Sequence, residues 1–342
     1  MNTTHSTSDS SPRANVRDSS PRASVRDSFS SSAASRVPYT VLGGPRWNRV
    51  RKYPFRLTLL VLSRGDRLFR AELLRDLHAL GAGEILWVEG HEPSCDVESL
   101  SRDFPFVRFL LMKAPTTAGE RINIGIAESR APFVLSMWSD MRLSPLPPSL
   151  LVSAEKSGAV CTVPLARNAI QEKIPSWQSP VWKKRRFSLA FRAPRRDGEL
   201  TLFPFDYCGL YSRESFARSG GFDPAISNSY WQKLDFGFRC FLWGERLRGS
   251  IDLAVAYVGA PPTENATPDQ GYKLFYLKNL AVRMRREMGV LPTWKFFDYL
   301  AHCGTGPLSA AREFLAVRDW VRIHRFRFRR DPMDVIARWE SA

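Results

Sequence analysis

Polar and acidic side chains follow three apolar runs of this sequence. Ser63 comes directly after Leu57–Leu62, Glu89 closes a second run, and Asp140 comes two residues after Phe133–Trp138. If the runs are parallel strands, their carboxyl ends meet at one edge of a sheet, which is where open α/β sheets bind ligands. Carboxylates there can accept hydrogen bonds from a ligand or hold a hard divalent cation that bridges phosphates. Ordinary loop capping is the alternative for each residue.

The elements that would position these residues alternate along the chain. Continuous apolar runs predict buried strands, and they occur at Leu57–Leu62, Glu84–Glu89, Val107–Leu111 and Phe133–Trp138. Apolar residues at helical spacing lie between them, at Leu68–Leu77 and Gly119–Ser129. Strand–helix–strand units of this length form right-handed crossovers onto a parallel sheet. The sequence therefore predicts an α/β fold whose mostly parallel sheet is flanked by helices.

Two motifs carry a family resemblance. Gly119-Glu120-Arg121-Ile122-Asn123-Ile124-Gly125-Ile126 precedes the fourth predicted strand, and Gly220-Gly221-Phe222-Asp223 follows later. The chain from Arg56 onward resembles the inverting family 2 glycosyltransferases, which have the GT-A fold. The resemblance implies a nucleotide-diphosphate sugar, most plainly a UDP-sugar, as donor. It implies binding of that donor by Ser63, Glu89, Arg121, Asn123, Asp140, Gly220 and Gly221.

Both acidic motifs of the family are altered in this chain. The metal-binding Asp-x-Asp reads Trp138-Ser139-Asp140, so the resemblance leaves Asp140 alone to bind Mg²⁺ or Mn²⁺. The later Glu-Asp-x-Asp reads Gln232-Lys233-Leu234-Asp235. By position Asp235 is the expected general base, which would take the proton of the acceptor hydroxyl. The alternative for Asp235 is a helix N-terminal aspartate that complements the helix dipole.

The amino-acid composition limits the classes of binding partner and the cellular compartment that we expect. The chain has 342 residues, with 50 Lys and Arg against 34 Asp and Glu. The resulting charge of +16 predicts a polyanionic partner: a phosphate-bearing substrate, an anionic membrane surface or nucleic acid. Five cysteines without a CxxC pair argue against a disulfide framework or structural zinc, and favour a reducing cytoplasm. The expected location is cytoplasmic, with peripheral association at the inner face of a membrane as an addition.

Three segments are predicted along the chain. Residues 1–50 form a Ser- and Arg-rich disordered tail with a duplicated nine-residue unit, and order begins between Tyr39 and Phe55. Residues 51–260 form the GT-A-like domain. Residues 261–342 form a helical extension, in which helical periodicity covers Tyr272–Met288 and Ala310–Arg330.

Three functions compete at this stage. The leading hypothesis is an inverting glycosyltransferase whose acceptor is anionic or lipid-linked. The second is a nucleotide-sugar-binding protein that has lost turnover, because each paired-acid motif keeps one acid. The third is a basic protein that binds a membrane surface or nucleic acid and shares only the architecture, with nucleic acid the least expected partner.

Overall fold

The computed structural model describes residues 37–44, 56–64, 70–92, 96–183 and 186–339. The strands are β1 Tyr39–Gly43, β2 Leu57–Leu62, β3 Glu84–Glu89, β4 Val107–Met112, β5 Phe133–Trp138, β6 Met141–Leu143, β7 Cys161–Arg167, β8 Trp177–Lys183, β9 Arg186–Arg192, β10 Gly209–Ser212, β11 Leu247–Tyr257, β12 Arg283–Arg285 and β13 Met288–Val290. The α-helices are α1 Arg70–Ala79, α2 Val97–Asp103, α3 Ala118–Glu128, α4 Leu150–Ser157, α5 Arg213–Ser219, α6 Ser229–Leu242, α7 Gln270–Phe275, α8 Lys295–His302, α9 Pro307–His324 and α10 Pro332–Ala337. The duplicated unit of the predicted tail and the turn at Gly65 and Asp66 lie outside the described residues.

One nine-stranded sheet organises the molecule, in the order β1-β4-β3-β2-β5-β10-β7-β11-β6. The strands β4, β3, β2 and β5 are parallel neighbours, and β7 and β11 continue in the same direction. The antiparallel strands are β1, β10 and β6. Every residue of β2, β3 and β5 is buried, because helices cover the sheet on both faces. The predicted fold class, a mostly parallel sheet flanked by helices, is confirmed.

The first strand lies within the range assigned to the tail. Residues 39–43 pair antiparallel with β4, from Tyr39 opposite Met112 to Gly43 opposite Arg108. Tyr39 also donates a hydrogen bond from its hydroxyl to Glu128 at 2.9 Å. Residues 1–50 therefore include one edge strand of the sheet.

Two glycines bring helices close to their neighbours. A β-carbon on Gly125 in α3 would overlap the side chain of Leu60 in β2, so this glycine lets the helix lie directly on the sheet. A β-carbon on Gly237 in α6 would overlap the carbonyl oxygen of Leu202. These contacts fix α3 and α6 beside the strand ends that the sequence marks as polar.

The C-terminal segment is helical but not throughout. The periodicity over Tyr272–Met288 predicts one helix, whereas α7 ends in a widened turn over Tyr276–Leu280 and is followed by the hairpin β12–β13. Arg286, at the turn of this hairpin, has a φ of 56° that no helix allows. The segment packs on α6 through Trp339 against Phe241. Among the described residues, no helix is long and apolar enough to cross a membrane.

We expect Gly237→Ala to lower the free energy of unfolding by about 3 kcal/mol, because the new methyl group would meet backbone that cannot move aside. Urea unfolding followed by circular dichroism measures this. Gly259→Ala is the matched control, since nothing lies within 4 Å of a β-carbon built there. Equal stability of the two variants would show that α6 and Leu202 are not in close contact.

Candidate functional site

A cavity of about 720 Å³ opens at the carboxyl ends of β2 and β5. Its walls come from the residue after β2, the N-terminus of α3, the end of β5, a turn at Phe205–Tyr207, the start of α6 and the loop at 262–265. The side chains that matter for its chemistry are Arg64, Glu120, Arg121, Trp138, Asp206, Tyr207, Lys233 and Glu264. This is the sheet edge at which the sequence predicts a ligand.

Arg64 joins two carboxylates at the rim of the cavity. Its Nε and Nη2 donate to the two oxygens of Asp140 at 2.9 and 3.0 Å. Its Nη1 lies 2.8 Å from Asp206 Oδ2. The guanidinium also stacks over the Trp138 ring, 4.3 Å from the ring centroid. Burial alone would lower the pKa of Arg64, but the carboxylates of Asp206 and Asp140 outweigh it and raise the pKa.

Asp206 lies in an unusual backbone conformation. Its φ is 47° and that of Tyr207 is 60°, so two consecutive non-glycine residues are left-handed. The Trp138 indole donates to the Asp206 carbonyl at 2.8 Å, and the Tyr257 hydroxyl donates to Asp206 Oδ2 at 3.0 Å. Burial raises the pKa of Asp206, although Arg64 opposes this. Strained backbone held by its surroundings in this way is common at functional sites.

Arg121 forms no ion pair with a carboxylate of the described residues, although the charge of Glu89 acts on it. It projects from the first turns of α3, and its Nη1 donates to the Ser63 carbonyl at 3.3 Å. Its buried Nε has no hydrogen-bond partner in the described part of the chain. Burial lowers the pKa of Arg121. A buried donor left unpaired beside a cavity points to an anionic ligand.

Lys233 and Glu264 face each other on the other side of the cavity. Lys233 lies one turn into α6, and its Nζ is 2.5 Å from Glu264 Oε1. Lys233 Nζ also lies 5.2 Å from the centroid of the Tyr207 ring. The pair therefore places one cation and one carboxylate at the wall formed by α6 and the 262–265 loop.

Gln232, next to Lys233, uses every hydrogen-bonding group of its amide. Oε1 accepts from the Gly119 backbone at 3.1 Å and from the Tyr207 hydroxyl at 2.7 Å. Nε2 donates to Thr117 Oγ1 at 3.1 Å and to the Asp223 carbonyl at 2.8 Å. This residue therefore fixes the N-terminus of α3 to α6 and to the turn that carries Tyr207.

The polar residues predicted at the strand ends lie at one edge of the sheet. Ser63 accepts a hydrogen bond from Arg70 at 3.2 Å, and buried Glu89 accepts one from the Trp87 indole at 2.8 Å. Neither side chain lines the cavity, whereas Arg121 does. Ser63 and Glu89 thus lie behind the cavity wall.

Asn123, Gly220 and Gly221 lie where α3 contacts the turn after α5. The Asn123 amide donates to the Phe222 carbonyl at 2.7 Å and accepts from the Phe222 backbone N–H at 2.9 Å. Gly220 ends α5 with a φ of 82°. A β-carbon on Gly221 would press on Asn123 Oδ1, at 2.6 Å. This placement supports a packing role for Asn123, Gly220 and Gly221, which do not line the cavity.

Asp235 does not face the cavity. It is fully buried, accepts from Arg239 Nη2 at 3.2 Å and accepts from Asn279 Nδ2 at 2.7 Å. Lys233 and Asp235 are two residues apart on a helix, so they point in nearly opposite directions. A base without access to the acceptor cannot take its proton, and the general-base role expected for Asp235 is not supported by this placement.

The residues at Asp140 do not fit a divalent cation. Both oxygens of Asp140 accept hydrogen bonds from Arg64, and the oxygens of Asp206 are held by Arg64 and Tyr257. The described part of the chain contains no group of three or more His, Cys, Asp or Glu that could hold a metal. Mg²⁺ and Mn²⁺ need several oxygen ligands, which this donor set does not offer. Arg142, the other basic residue nearby, pairs with Glu72 at 3.3 Å.

Four side chains that line the cavity are not among the site residues expected from the sequence: Arg64, Asp206, Lys233 and Glu264. Arg64 follows directly after a predicted strand end, so its neighbourhood is marked. Lys233 occupies the second place of the altered acidic motif. Asp206 and Glu264 lie in irregular segments far along the chain, and no local pattern marks them.

We expect Asp235→Asn to lower the free energy of unfolding by about 3 kcal/mol, because buried Arg239 loses its counter-charge. Nucleotide affinity should not change, since Asp235 does not line the cavity. Asp319→Asn, which breaks an exposed helical pair with Arg322, is the control and should change stability by less than about 0.5 kcal/mol. A stable Asp235→Asn variant that lost only turnover would restore Asp235 as the base.

The fold, though not the sequence, is similar to that of known proteins. No family model and no curated protein sequence matches the chain. The chain superposes on the structure of GalNAc-T7 with UDP, GalNAc and Mn²⁺ with a TM-score of 0.57 and 11% identity, covering 84% of this chain and 57% of that one. A structure of TarS from S. aureus (residues 1–349) with UDP-GlcNAc gives 0.47 and 10% identity, over 77% and 71% of the two chains. The chain thus spans a little over half the length of the GalNAc-T7 chain and has a GT-A-like fold.

Proposed function

We propose that this protein is a glycosyltransferase that takes a sugar from a nucleotide-diphosphate donor of the UDP type. The observation that carries the proposal is Arg121, a largely buried guanidinium whose Nε has no hydrogen-bond partner and which lines a cavity at the carboxyl edge of the sheet. Arg64 and Lys233 line the same cavity, so the site suits the negative charge of a diphosphate. The structure of GalNAc-T7, similar in fold, was solved with UDP and a sugar, which supports this class of ligand.

For an inverting transfer, we propose Glu264 as the general base. Three of the described acids line the cavity: Glu120, Asp206 and Glu264. Glu120 is engaged in the capping box of α3, and Asp206 is held by Arg64 and Tyr257. Glu264 has Lys233 as its one hydrogen-bond partner among the described side chains.

In the proposed sugar transfer, the Glu264 carboxylate is the proton acceptor. The acceptor hydroxyl gives its proton to Glu264 as its oxygen forms a bond to the anomeric carbon. The bond from that carbon to the diphosphate oxygen breaks, and the nucleoside diphosphate leaves with the electron pair. Arg64 and Arg121 stabilise the charge that develops on this leaving group.

An anionic or lipid-linked acceptor is proposed from the surface charge. The exposed basic side chains of the β8–β9 hairpin and of the last helices belong to a chain with a charge of +16. A nucleotide-sugar-binding protein without turnover is the second candidate, since Lys233 stands where the family motif has an acid. Measured binding without transfer to any acceptor would favour it.

We expect Arg121→Gln to weaken UDP binding by about 10–100-fold, because a charged hydrogen-bond donor to the phosphate is lost. Isothermal titration of the full chain with UDP and UDP-sugars measures this. Arg213→Gln is the control, since Arg213 donates to carbonyls at the far end of α3 and lies outside the cavity. Failure of every nucleotide and nucleotide sugar to bind would remove the proposed function.

We expect Glu264→Gln to lower kcat by about 10²–10⁴-fold with little change in the donor KM, because the base is lost while the cationic side chains stay. Turnover is measured with the best donor from the titrations and a panel of anionic and neutral acceptors. Glu172→Gln, an exposed acid bonded to Asn168, is the control. Full turnover in Glu264→Gln would assign the proton to another group.

A further inference from the structure

A guanidinium stands between two carboxylates where the sequence resemblance implies a metal ion. Arg64 contacts both oxygens of Asp140 and both oxygens of Asp206. Asp140 follows β5, while Asp206 lies in the turn before β10. Arg64 therefore links two separate segments through carboxylate oxygens, as a divalent cation held by the same two acids would.

The surroundings of Arg64 hold this cation in place. The Cζ atom of the Arg64 guanidinium lies 4.3 Å from the centroid of the Trp138 ring. Trp138 stands where the family motif has its first carboxylate. An arginine is protonated at every physiological pH, so the positive charge cannot be lost by titration. Unlike a metal ion, it cannot be removed by a chelator either.

Arg64 keeps donors for a ligand. A guanidinium has five N–H groups, and the bonds to Asp140 and Asp206 use three of them. Its side chain remains 26% exposed and lines the cavity. Arg121 approaches the same Trp138 ring, at 5.3 Å, so two guanidinium groups lie beside one indole. Paired guanidinium groups of this kind suit phosphate oxygens.

We propose that Arg64 permanently replaces the divalent cation, and that Arg64 and Arg121 bind the donor diphosphate without a metal. The inference rests on the proposed function, because it names how that donor is held. Asp140 and Asp206 then serve to orient Arg64, and Arg121 supplies a second guanidinium to the diphosphate.

The direct test compares metal-free and metal-containing titrations of the unaltered full chain. UDP is titrated calorimetrically in excess EDTA and again in excess MnCl₂. The expected result is binding in EDTA, with a Kd within about twofold of the value in Mn²⁺, because the protein already supplies the cation. Binding that appears only with Mn²⁺, or is more than about tenfold tighter with it, overturns the inference and leaves the proposed function intact.

The variant Arg64→Gln tests the residue itself. In EDTA it should bind UDP about 10–100-fold more weakly, because charged donors to the phosphate are lost. Mn²⁺ should restore part of this loss, because Asp140 and Asp206 are freed to act as ligands. Arg142→Gln is the matched control and should bind as the unaltered chain does, since Arg142 pairs with Glu72 outside the cavity.

The outcomes separate the two proposals. Unchanged UDP affinity of Arg64→Gln in EDTA overturns the role of Arg64. Absence of UDP and UDP-sugar binding to the unaltered chain in both buffers overturns the inference together with the proposed function. Thermal unfolding of each variant identifies one that has not folded, and the comparison of EDTA with Mn²⁺ on the unaltered chain decides the inference in that case.

Discussion

The buried carboxylate of Asp206 is the point on which the whole site depends. Two consecutive left-handed residues at Asp206 and Tyr207 cost about 1–3 kcal/mol each. That cost is offset by bonds from four separate elements: Arg64 after β2, Trp138 at the end of β5, Tyr257 at the end of β11 and Gln232 in α6. The conformation is thus held only when the sheet and α6 are both in place. The cavity is consequently a property of the complete fold.

Three cations line the cavity, and each comes from a different part of the fold. Arg64 follows β2, Arg121 lies in α3 and Lys233 lies in α6, and each is partly or fully buried. Arg64 and Lys233 have carboxylate partners, while Arg121 is bonded to a backbone carbonyl. Arg64 therefore meets two carboxylates and Lys233 meets one, so an incoming anion can pair most directly with Arg121. Its position is set by a few directional donors instead of a broad positive field.

Much of the architecture can be predicted from the sequence, and the chemistry only in part. The strands β2, β3 and β5 follow from continuous apolar runs, and α3 follows from its motif and its capping box. The site needs contacts between residues far apart in the chain, such as Arg64 with Asp206, which no local pattern reveals. Asp235 is an example of a local pattern that can be read from sequence. It lies four residues before Arg239, a spacing at which opposite charges on a helix commonly form an ion pair. Helical geometry alone separates it from Lys233, which reaches the cavity.

The hydrogen bonds of Gln232 explain why an acid would not fit at this position. Its amide both accepts, from Gly119 and Tyr207, and donates, to Thr117 and Asp223. A carboxylate at this place, as in the family pattern, has no hydrogen to donate and would set one oxygen against the Asp223 carbonyl. Replacing Gln232 with Glu would therefore disrupt the hydrogen bonds between α3 and α6. The packing between α3 and α6 therefore requires a side chain at position 232 that can both donate and accept.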